Sequence, residues 1–501
     1  MHFRKNFMLN FLSILTIFII CLAFPSFSLV RLSSGSPDYT YYGVVPSKLY
    51  RYVLIDADNR TSGWRLGFDN TTLMTGSPCL NGRIIATKSL LVIVAAENDT
   101  NVEVYDLKTG NSISKGHINS MEKHFVLLAN GTVFKVVSDK QVSVLLLNYQ
   151  HLPLDNVSEG PTPQTFYTST DGLYVGKKFV FMASEYQAGT FFRILALEKS
   201  TVTVTREDGD QSTESLEANS YKSLLLTPFK VYRFESTGNI MVQSGGIAGA
   251  GGDSCPCNPV PSAKGGFVGQ YFYTISSKSW DASMEYGYRI MTSEDTHVKV
   301  YDLETKQVIN EFSITGGNGI GFHPSANAIS VQSEKPVTLL YINNGSLGRV
   351  GGPGDYGGYA NGVMFLGIRP NQDTMIHMPV DANVEAFFFA SDETQLTIDG
   401  DYHMLQPDSV FSYTAIGTHT VRSDQNVILQ INFCPFEPEY QGLWYTGAAI
   451  PCIETVADNP TVTLTPFEGF PMIYVIISVG VGAIAVVAGF LLMRRRSSKP
   501  S

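Results

Sequence analysis

The sequence lacks the common catalytic signatures. It has no G-x-S-x-G nucleophile elbow, no Walker phosphate loop and no G-x-G-x-x-G turn between a strand and a helix. Its 9 histidines are scattered, and no two lie within four residues of each other, so the paired zinc ligands of helical metalloproteases are missing too. We predict that the protein is not an enzyme. A surface hydrolase remains the alternative, because 45 acidic residues could include a carboxylate pair.

Charged residues are also scarce, at 16% of the chain, whereas Tyr, Phe and Gly are plentiful, at 25, 30 and 45 residues. This composition suits pleated sheets joined by glycine-rich turns better than helices with charged faces. The 501 residues are too many for one hydrophobic core of ordinary size. We therefore predict an all-β protein with several domains or repeats.

Both ends carry long apolar stretches. Residues 1–28 have the pattern of a secretory signal peptide, with Arg4 and Lys5 before the apolar stretch and small residues near Ser28; an uncleaved anchor is the alternative. Residues 472–493 contain no charge and are long enough, at about 1.5 Å rise per residue, to cross a membrane. The arginines of the tail at 494–501 predict a cytoplasmic end. We predict a single-pass type I protein of the cell membrane whose bulk is extracellular.

The predicted extracellular part is acidic. Removing the two basic residues of the leader and the four of the tail from 35 leaves 29 against 45 acidic residues, a net charge near −16. Such a surface repels nucleic acid, so we expect no nucleic-acid partner. Six sequons fit an extracellular glycoprotein, at Asn59, Asn70, Asn98, Asn130, Asn156 and Asn344.

One phrase occurs twice, as TNVEVYDLKT from Thr100 and THVKVYDLET from Thr296, with seven identical positions out of ten. A looser form, an acidic turn followed by Thr/Ser-x-apolar-x-apolar, occurs four times and aligns Thr100, Ser200, Thr296 and Thr394. A second set of aligned positions follows these, at Ser138, Ser236, Ser333 and Ser423. Two registers with one period of about 98 residues predict a fourfold internal repeat.

Each repeat has the pattern of a small β domain. In NVEVYD the apolar Val102 and Val104 alternate with polar neighbours, as in a half-buried strand. In VSVLLLN, from Val142, the apolar run is nearly continuous, which predicts a strand covered on both faces. About seven short strands per repeat fit one β-sandwich. We predict four tandem sandwiches, with an eight-bladed propeller of two-blade repeats as the alternative.

Closure would separate these two architectures, because a propeller brings the first and fourth repeats together and a string of sandwiches holds them apart. The predicted divisions are a signal peptide (1–28), four repeats (29–165 with an N-terminal cap, 166–260, 261–358 and 359–452), a stalk containing Thr and Pro (453–471), a transmembrane helix (472–493) and a basic tail (494–501).

Five cysteines remain after signal removal, at Cys79, Cys255, Cys257, Cys434 and Cys452. Outside the cell they should be oxidised where geometry permits. We predict a Cys434–Cys452 bridge that closes the fourth repeat. A bridge within the CPC sequence would be strained, so one of Cys255 and Cys257 should reach Cys79.

Two acid-rich turns, residues 56–59 and 206–210, contain the oxygen ligands that Ca²⁺ prefers. Neither matches the EF-hand loop, and both also fit solvated hairpin tips. We predict no cofactor and no metal site, with Ca²⁺ at these turns as a weak alternative.

The runs VIVAAENDTNVEV, VVSDKQVSVLLLN and GLYVGKKFVFMAS resemble the IgGFc-binding protein N-terminal domain family. The likeness extends through the repeats, from about Leu90 to Cys434. It implies a surface-exposed binding or adhesion module without enzyme activity. The proline of the family's Ser-Asp-Lys-Pro-Val-like step occurs only as Pro336, so antibody binding is not carried over.

Repetition without catalytic residues predicts a cell-surface binding or adhesion protein. Its expected partners are an extracellular protein or glycan, bound through loops at one end of each repeat, and the membrane through residues 472–493. The alternatives are a structural subunit of a cell-surface coat and a surface hydrolase on a propeller.

Overall fold

The computed structural model describes residues 38–46, 88–148, 165–183, 190–227, 229–244, 257–275, 287–342, 362–378, 383–434, 447–464 and 467. All of them belong to one unit that begins at Asp38. Their regular structure is strand, apart from one 3-10 helix at Ile453–Thr455, so the all-β prediction is confirmed. Among these residues no helix is long and apolar enough to span a membrane. The predicted signal peptide, transmembrane helix and basic tail lie outside them.

The strands fall into four groups that follow the predicted repeats. The first contains β1 (Tyr39–Val44), β2 (Lys88–Ala95), β3 (Thr100–Asp106), β4 (Ser112–Ile118), β5 (Lys123–Ala129), β6 (Val133–Ser138) and β7 (Val142–Asn148). The second contains β8 (Phe166–Tyr167), β9 (Gly176–Met182), β10 (Thr190–Ala196), β11 (Ser200–Arg206), β12 (Gln211–Leu216), β13 (Ser220–Leu226) and β14 (Val231–Ser244).

The third group contains β15 (Cys257–Val260), β16 (Val268–Ile275), β17 (Gly287–Thr292), β18 (Thr296–Asp302), β19 (Val308–Ile314), β20 (Asn318–Phe322) and β21 (Ala328–Ile342). The fourth contains β22 (Gly362–Ile368), β23 (Thr374–Met378), β24 (Asn383–Ala390), β25 (Thr394–Ile398), β26 (Asp401–Leu405), β27 (Ser409–Tyr413), β28 (Gly417–Ser423) and β29 (Val427–Cys434). A last short strand, β30 (Ala448–Ala449), follows.

The fourth repeat shows the topology most simply. It has two four-stranded antiparallel sheets, ordered β22-β29-β24-β27 and β23-β28-β25-β26. With the positions lettered A to H along the chain, the sheets are A-H-C-F and B-G-D-E, so consecutive strands mostly alternate between sheets. This order is that of a jelly roll. A propeller blade would need four consecutive strands in one sheet. The sandwich prediction is therefore confirmed, and the two-blade alternative is wrong.

The second and third repeats have the same topology with one variation. Their long strands β14 and β21 supply both the G and the H position and so join the two sheets into one seven-stranded sheet. The register shifts where the strand passes from one sheet to the other, between Glu235 and Ile240 in the second repeat.

The aligned hydroxyl residues have equivalent places in all four repeats. Thr100, Ser200, Thr296 and Thr394 each begin the D strand, and all four are buried. In the first, second and fourth repeats the hydroxyl donates to a carbonyl of the preceding C–D turn, at 2.8 Å in each case. Ser138, Ser236, Ser333 and Ser423 each lie opposite the third residue of the D strand. The repeated positions therefore hold the C–D turn and the D–G pairing.

The first repeat takes its A strand from the other end of the chain. Its strand β1 occupies the B position, and β30 pairs antiparallel with β7 through Ala448 and Leu146. Residues 448–449 had been predicted to belong to the fourth repeat. Instead they complete the A-H-C-F sheet of the first.

The repeats contact one another in a cycle. The outer face of each A-H-C-F sheet packs against the B strand of the next repeat: β2 and β7 contact β9, β10 contacts β16, β17 and β21 contact β23, and β24 and β29 contact β1. Each interface joins unlike surfaces, and the fourth returns to the first, so the ring closes. The expectation that sandwiches would hold the first and fourth repeats apart is wrong.

Candidate functional site

The contact between the fourth and first repeats, here called the seam, depends on a buried glutamine. Gln430 on β29 is 0% exposed. Its Oε1 accepts the backbone N–H of Val44 at 2.7 Å, and its Nε2 donates to the Val44 carbonyl at 2.8 Å. Nε2 also donates to Asn432 Oδ1 at 2.9 Å. One side chain thus satisfies both backbone groups at the end of strand β1, which have no water to bond.

An ionic contact lies beside this amide. Tyr42 donates its hydroxyl to Asp408 Oδ1 at 2.5 Å, and Lys135 donates to Asp408 Oδ2 at 2.5 Å. The Tyr42 ring stacks on Phe389, with centroids 5.8 Å apart. Asp408 has a φ of 54°, in the left-handed region that aspartate tolerates better than most residues. The E–F turn of the fourth repeat is therefore shaped to reach the first.

The second–third interface repeats this design. Gln243 Oε1 accepts the N–H of Ile275 at 2.8 Å. Tyr273 donates to Asn219 Oδ1 at 2.9 Å, and Asn219, like Asp408, lies in an E–F turn with positive φ, here 56°. Gln243 and Gln430 occupy H strands, and Tyr273 and Tyr42 occupy B strands. The seam is thus an interface of the same kind as one joined directly by the chain.

The seam differs from that interface because a separate segment covers it. We call residues 447–464 and 467 the clasp. After β30, Ile450 donates its N–H to the Val144 carbonyl at 2.9 Å. Ile450, Cys452, Ile453 and Val456 are all less than 8% exposed and belong to one core with the first repeat and part of the fourth.

The clasp is also tied to the second and fourth repeats. Thr455 donates its hydroxyl to the Gly172 carbonyl at 2.9 Å, and Asn239 donates to the Thr461 carbonyl at 3.0 Å. From the fourth repeat, Asn426 donates to the Ile453 carbonyl at 2.8 Å, and Arg369 donates to the Asp458 carbonyl at 2.7 Å. Three of these bonds satisfy backbone carbonyls in the part of the clasp that follows β30, which has no sheet partner.

Asn426 lies in the G–H turn of the fourth repeat and Asn239 lies within β14 of the second, near the place where the third repeat has Pro336. The first repeat has Gln141 near this place. It lies beside Gly172, which the clasp residue Thr455 also contacts: a Cβ on Gly172 would be 1.9 Å from the Gln141 Nε2. These amides were not singled out from the sequence. The available signal was the polar residue that stands near this place in each repeat other than the third.

The clasp ends on the third repeat. Phe467 stacks on Tyr301 with centroids 4.4 Å apart and planes 6° from parallel, and Val462 and Leu464 pack on the same core. The prediction of a stalk at 453–471 is therefore wrong for Ile453, Thr455, Val456 and Phe467, which are buried. These residues pack across all four repeats.

The predicted Cys434–Cys452 bridge is also wrong. Cys452 is a free, buried thiol that donates to Glu454 Oε2 at 3.0 Å. Burial, with the nearby Glu454 carboxylate, raises the pKa of this thiol well above its usual value. Tyr41 donates its hydroxyl to the Val142 carbonyl at 2.7 Å. Its burial and the nearby Cys452 both raise the pKa of Tyr41. The thiol itself is buried and its raised pKa favours the protonated form, which makes it a poor nucleophile.

A small cavity lies where the four A strands meet. Its walls include Phe166, Pro259, Met364 and Ala448, one from each A position. The space in which the centre of a water-sized sphere can sit is about 20 Å³, enough for one or two waters. The Thr165 hydroxyl accepts the N–H of Ala449 at 3.2 Å. The cavity is too small to hold a substrate.

The remaining predicted sites fall in two groups. Asn98 is exposed in the C–D turn, and Asn130 is half-buried in the F–G turn, both in the first repeat. Asn59, Asn70, Asn156, Asn344, Cys79, Cys255 and residues 56–59 lie outside the described residues, and of Cys257 and Cys434 only the backbone is described.

The acid-rich turn 206–210 forms the D–E hairpin tip of the second repeat. Arg206 Nε donates to Asp208 Oδ1 at 2.8 Å, and this bond lowers the pKa of Asp208. The carboxylate is already engaged by a guanidinium. Across the described ranges no group of three or more His, Cys, Asp or Glu side chains could hold a metal ion.

Comparisons with known proteins do not assign a family. No family model matches the chain, and no curated protein sequence matches it. Structures of Bacillus subtilis oxalate decarboxylase align weakly. One, from an EPR study of its Mn(II) centres, has a TM-score of 0.14 and 10% identity over 40% of this chain and 67% of that chain. Another, determined at pH 4.6, has a TM-score of 0.13 and 8% identity over 40% of this chain and 66% of that chain. Such scores do not establish a common fold.

Proposed function

We propose that the protein is a cell-surface binding protein whose ring of four jelly rolls recognises an extracellular protein or glycan, without enzyme activity. The observation that carries the proposal is the structural role of the repeated residues. The aligned hydroxyls hold turns, and the buried glutamines hold interfaces. The repeated positions thus build a scaffold and leave recognition to the segments between strands.

The long connections support this division. Residues 245–256 and 343–361 each lead from an H strand to an A strand, and residues 276–286 lead from a B strand to a C strand. In the third repeat Cys257, which begins strand A, and Gly287, which begins strand C, both lie opposite Ile342. Three of the strand ends that carry long connections therefore meet at one end of the sandwich. Jelly rolls of lectins and capsids are precedents for binding and coat functions on this architecture.

The test uses residues 29–467, which retain the clasp. We expect this chain to bind a defined protein or glycan in a glycan array and in cross-linking pull-downs from the cell surface. Replacing residues 343–361 with a Gly-Ser linker of equal length should weaken the binding. The control is Glu393→Ser in the C–D turn. This turn lies at the other end of the sandwich, because strand C starts at the end where residues 343–361 join strand A and runs away from it.

The outcome distinguishes the alternatives. Binding that is lost with residues 343–361 and kept in Glu393→Ser supports recognition through this end. Turnover of a substrate without stable binding would contradict the proposal and favour a hydrolase. Assembly of the purified chain into an ordered lattice without another partner would favour a coat subunit. The relationship to the IgGFc-binding family remains a prediction.

A further inference from the structure

We propose that the clasp is a latch: its release opens the ring at the seam, as a distinct step that precedes unfolding of any repeat. The seam is the interface at which positions A and B of one repeat are not consecutive in the chain: the A strand β30 follows β29, whereas the B strand β1 lies at the other end of the described residues. Residues 149–164, 245–256 and 343–361 join consecutive repeats, whereas residues 435–446 lead from the fourth repeat into the clasp. If the clasp leaves, only side-chain contacts hold the first repeat to the fourth.

The pairing of the clasp is short. Strand β30 pairs with β7 at two positions only, Ala448 with Leu146 and Ala449 with Leu145. The other clasp bonds are scattered: they reach Val144 and Thr40 of the first repeat, Gly172 and Asn239 of the second, and Asn426 and Arg369 of the fourth. A segment held by scattered bonds can leave without breaking a sheet. By contrast, losing β7 itself would remove a central strand, since it pairs with both β2 and β30.

The seam contacts left behind are few. They include the two bonds between Gln430 and Val44, the contacts of Tyr42 and Lys135 with Asp408, and the stacking of Tyr42 on Phe389. Asp408 has 43% of its side chain exposed, so its bonds are screened by water. Opening here also exposes Phe389 to water, since its ring stacks on Tyr42 in the closed ring.

The clasp ends close to the predicted membrane span, which suggests a role for the latch under tension. Phe467 is followed closely by the predicted membrane span, residues 472–493. If the topology under "Proposed function" holds, tension between a bound ligand and the membrane would load the clasp before any repeat. The latch itself does not depend on that topology, so a failure to find a ligand would leave it standing.

A glycine provides a wedge to test the latch. A Cβ on Gly367 would lie 2.6 Å from Val456 Cγ2 and 2.9 Å from Cγ1, and real Cβ atoms do not approach so closely. Gly367→Ala should therefore push the clasp away, and adding Val456→Ala should relieve the clash. The matched control is Gly269→Ala. This glycine also pairs with the start of an H strand, but its Cβ would meet Ser262 of its own repeat, at 2.2 Å.

The readout is hydrogen exchange of the full-length protein. In Gly367→Ala we expect at least tenfold faster exchange at residues 448–456 and at β1, with unchanged exchange at Thr274 and Ile275 of the second–third interface. The double variant should restore most of the protection. Gly269→Ala should loosen its own repeat and spare the clasp. Uniformly faster exchange, or no change in the clasp, would overturn the proposal.

Pulling the full-length wild-type protein by its two ends tests the latch without a variant. Release of the clasp should give a first step of up to roughly 70 Å, because about 20 extended residues span at most ~3.5 Å each. A first step several times longer, corresponding to a whole repeat, would overturn the proposal.

Discussion

Replacing Gln430 with leucine tests how the ring is held. Leucine has a similar volume, so Gln430→Leu leaves no large cavity, but the Val44 N–H and C=O lose their partners. Both groups are buried, because Val44 is 6% exposed. Leaving a buried polar group unpaired costs about 1–3 kcal/mol. The two groups together predict that the free energy of opening the seam falls by about 2–6 kcal/mol.

The equivalent substitution Gln243→Leu is the control. It removes the partner of one backbone group, the Ile275 N–H, so the same reasoning predicts about 1–3 kcal/mol. The second and third repeats also stay joined by residues 245–256. We expect the larger effect from Gln430→Leu, and we expect it to be concentrated at the seam.

Native-state hydrogen exchange on residues 29–467 gives the opening free energy directly. The expected result is at least 10-fold faster exchange at Val44 and Val45 in Gln430→Leu, with smaller changes elsewhere. Equal effects of the two substitutions would show that closure adds nothing to the seam. Unchanged exchange at Val44 in Gln430→Leu would refute the role given to the glutamine.

Three further predictions concern the clasp and the seam. A chain of residues 29–446 should aggregate while 29–467 stays monodisperse in size-exclusion chromatography, because burying Ile450, Ile453 and Val456 is worth about 1.5–3 kcal/mol each, comparable with the whole stability of a domain. Tyr42→Phe should lower the free energy of unfolding by about 1 kcal/mol in denaturant titrations. This is a low value for a bond to a charged acceptor, because Asp408 is partly exposed. An unchanged free energy of unfolding would show that this bond contributes as little as an exposed surface contact. The Tm should fall as pH rises above about 8.5, because the Cys452 thiol has a raised pKa in the folded protein and ionises at its ordinary pKa when unfolded. Cys452→Ala should remove this fall. A Tm that rises with pH would contradict the prediction.

Much of the fold could be predicted from the sequence because its causes are local. Val102 and Val104 alternate with polar residues, and the structure buries both valines in the D strand. The apolar run of β7 predicted a strand covered on both faces. The structure confirms it: Val144 and Leu146 face the core shared with the clasp, and Leu145 and Leu147 face the second repeat.

The ring and the clasp could not be predicted in this way, because their causes are not local. Strand β30 is two alanines, which carry no β-specific pattern. The repeat period locates corresponding strands, but it cannot show that the A position of the first repeat is filled from residue 448. The Thr and Pro content of residues 453–471 suggested a stalk, since composition reports local preference and not burial. A buried thiol near Glu454 looks, in sequence, the same as one half of a disulfide.

The closure of the ring explains why so short a clasp suffices. Residues 435–446 join it covalently to the fourth repeat, so its binding to the first is intramolecular, and a short connection can give an effective concentration of about the mM range. The seam interface and the clasp then stabilise each other. When one of them has formed, the other closes a shorter loop and loses less conformational entropy. A few buried side chains can therefore keep the ring closed, and loss of the same few contacts can open it. The first repeat begins at strand B and the clasp supplies strand A, so one local event at residues 447–467 frees both ends of the ring.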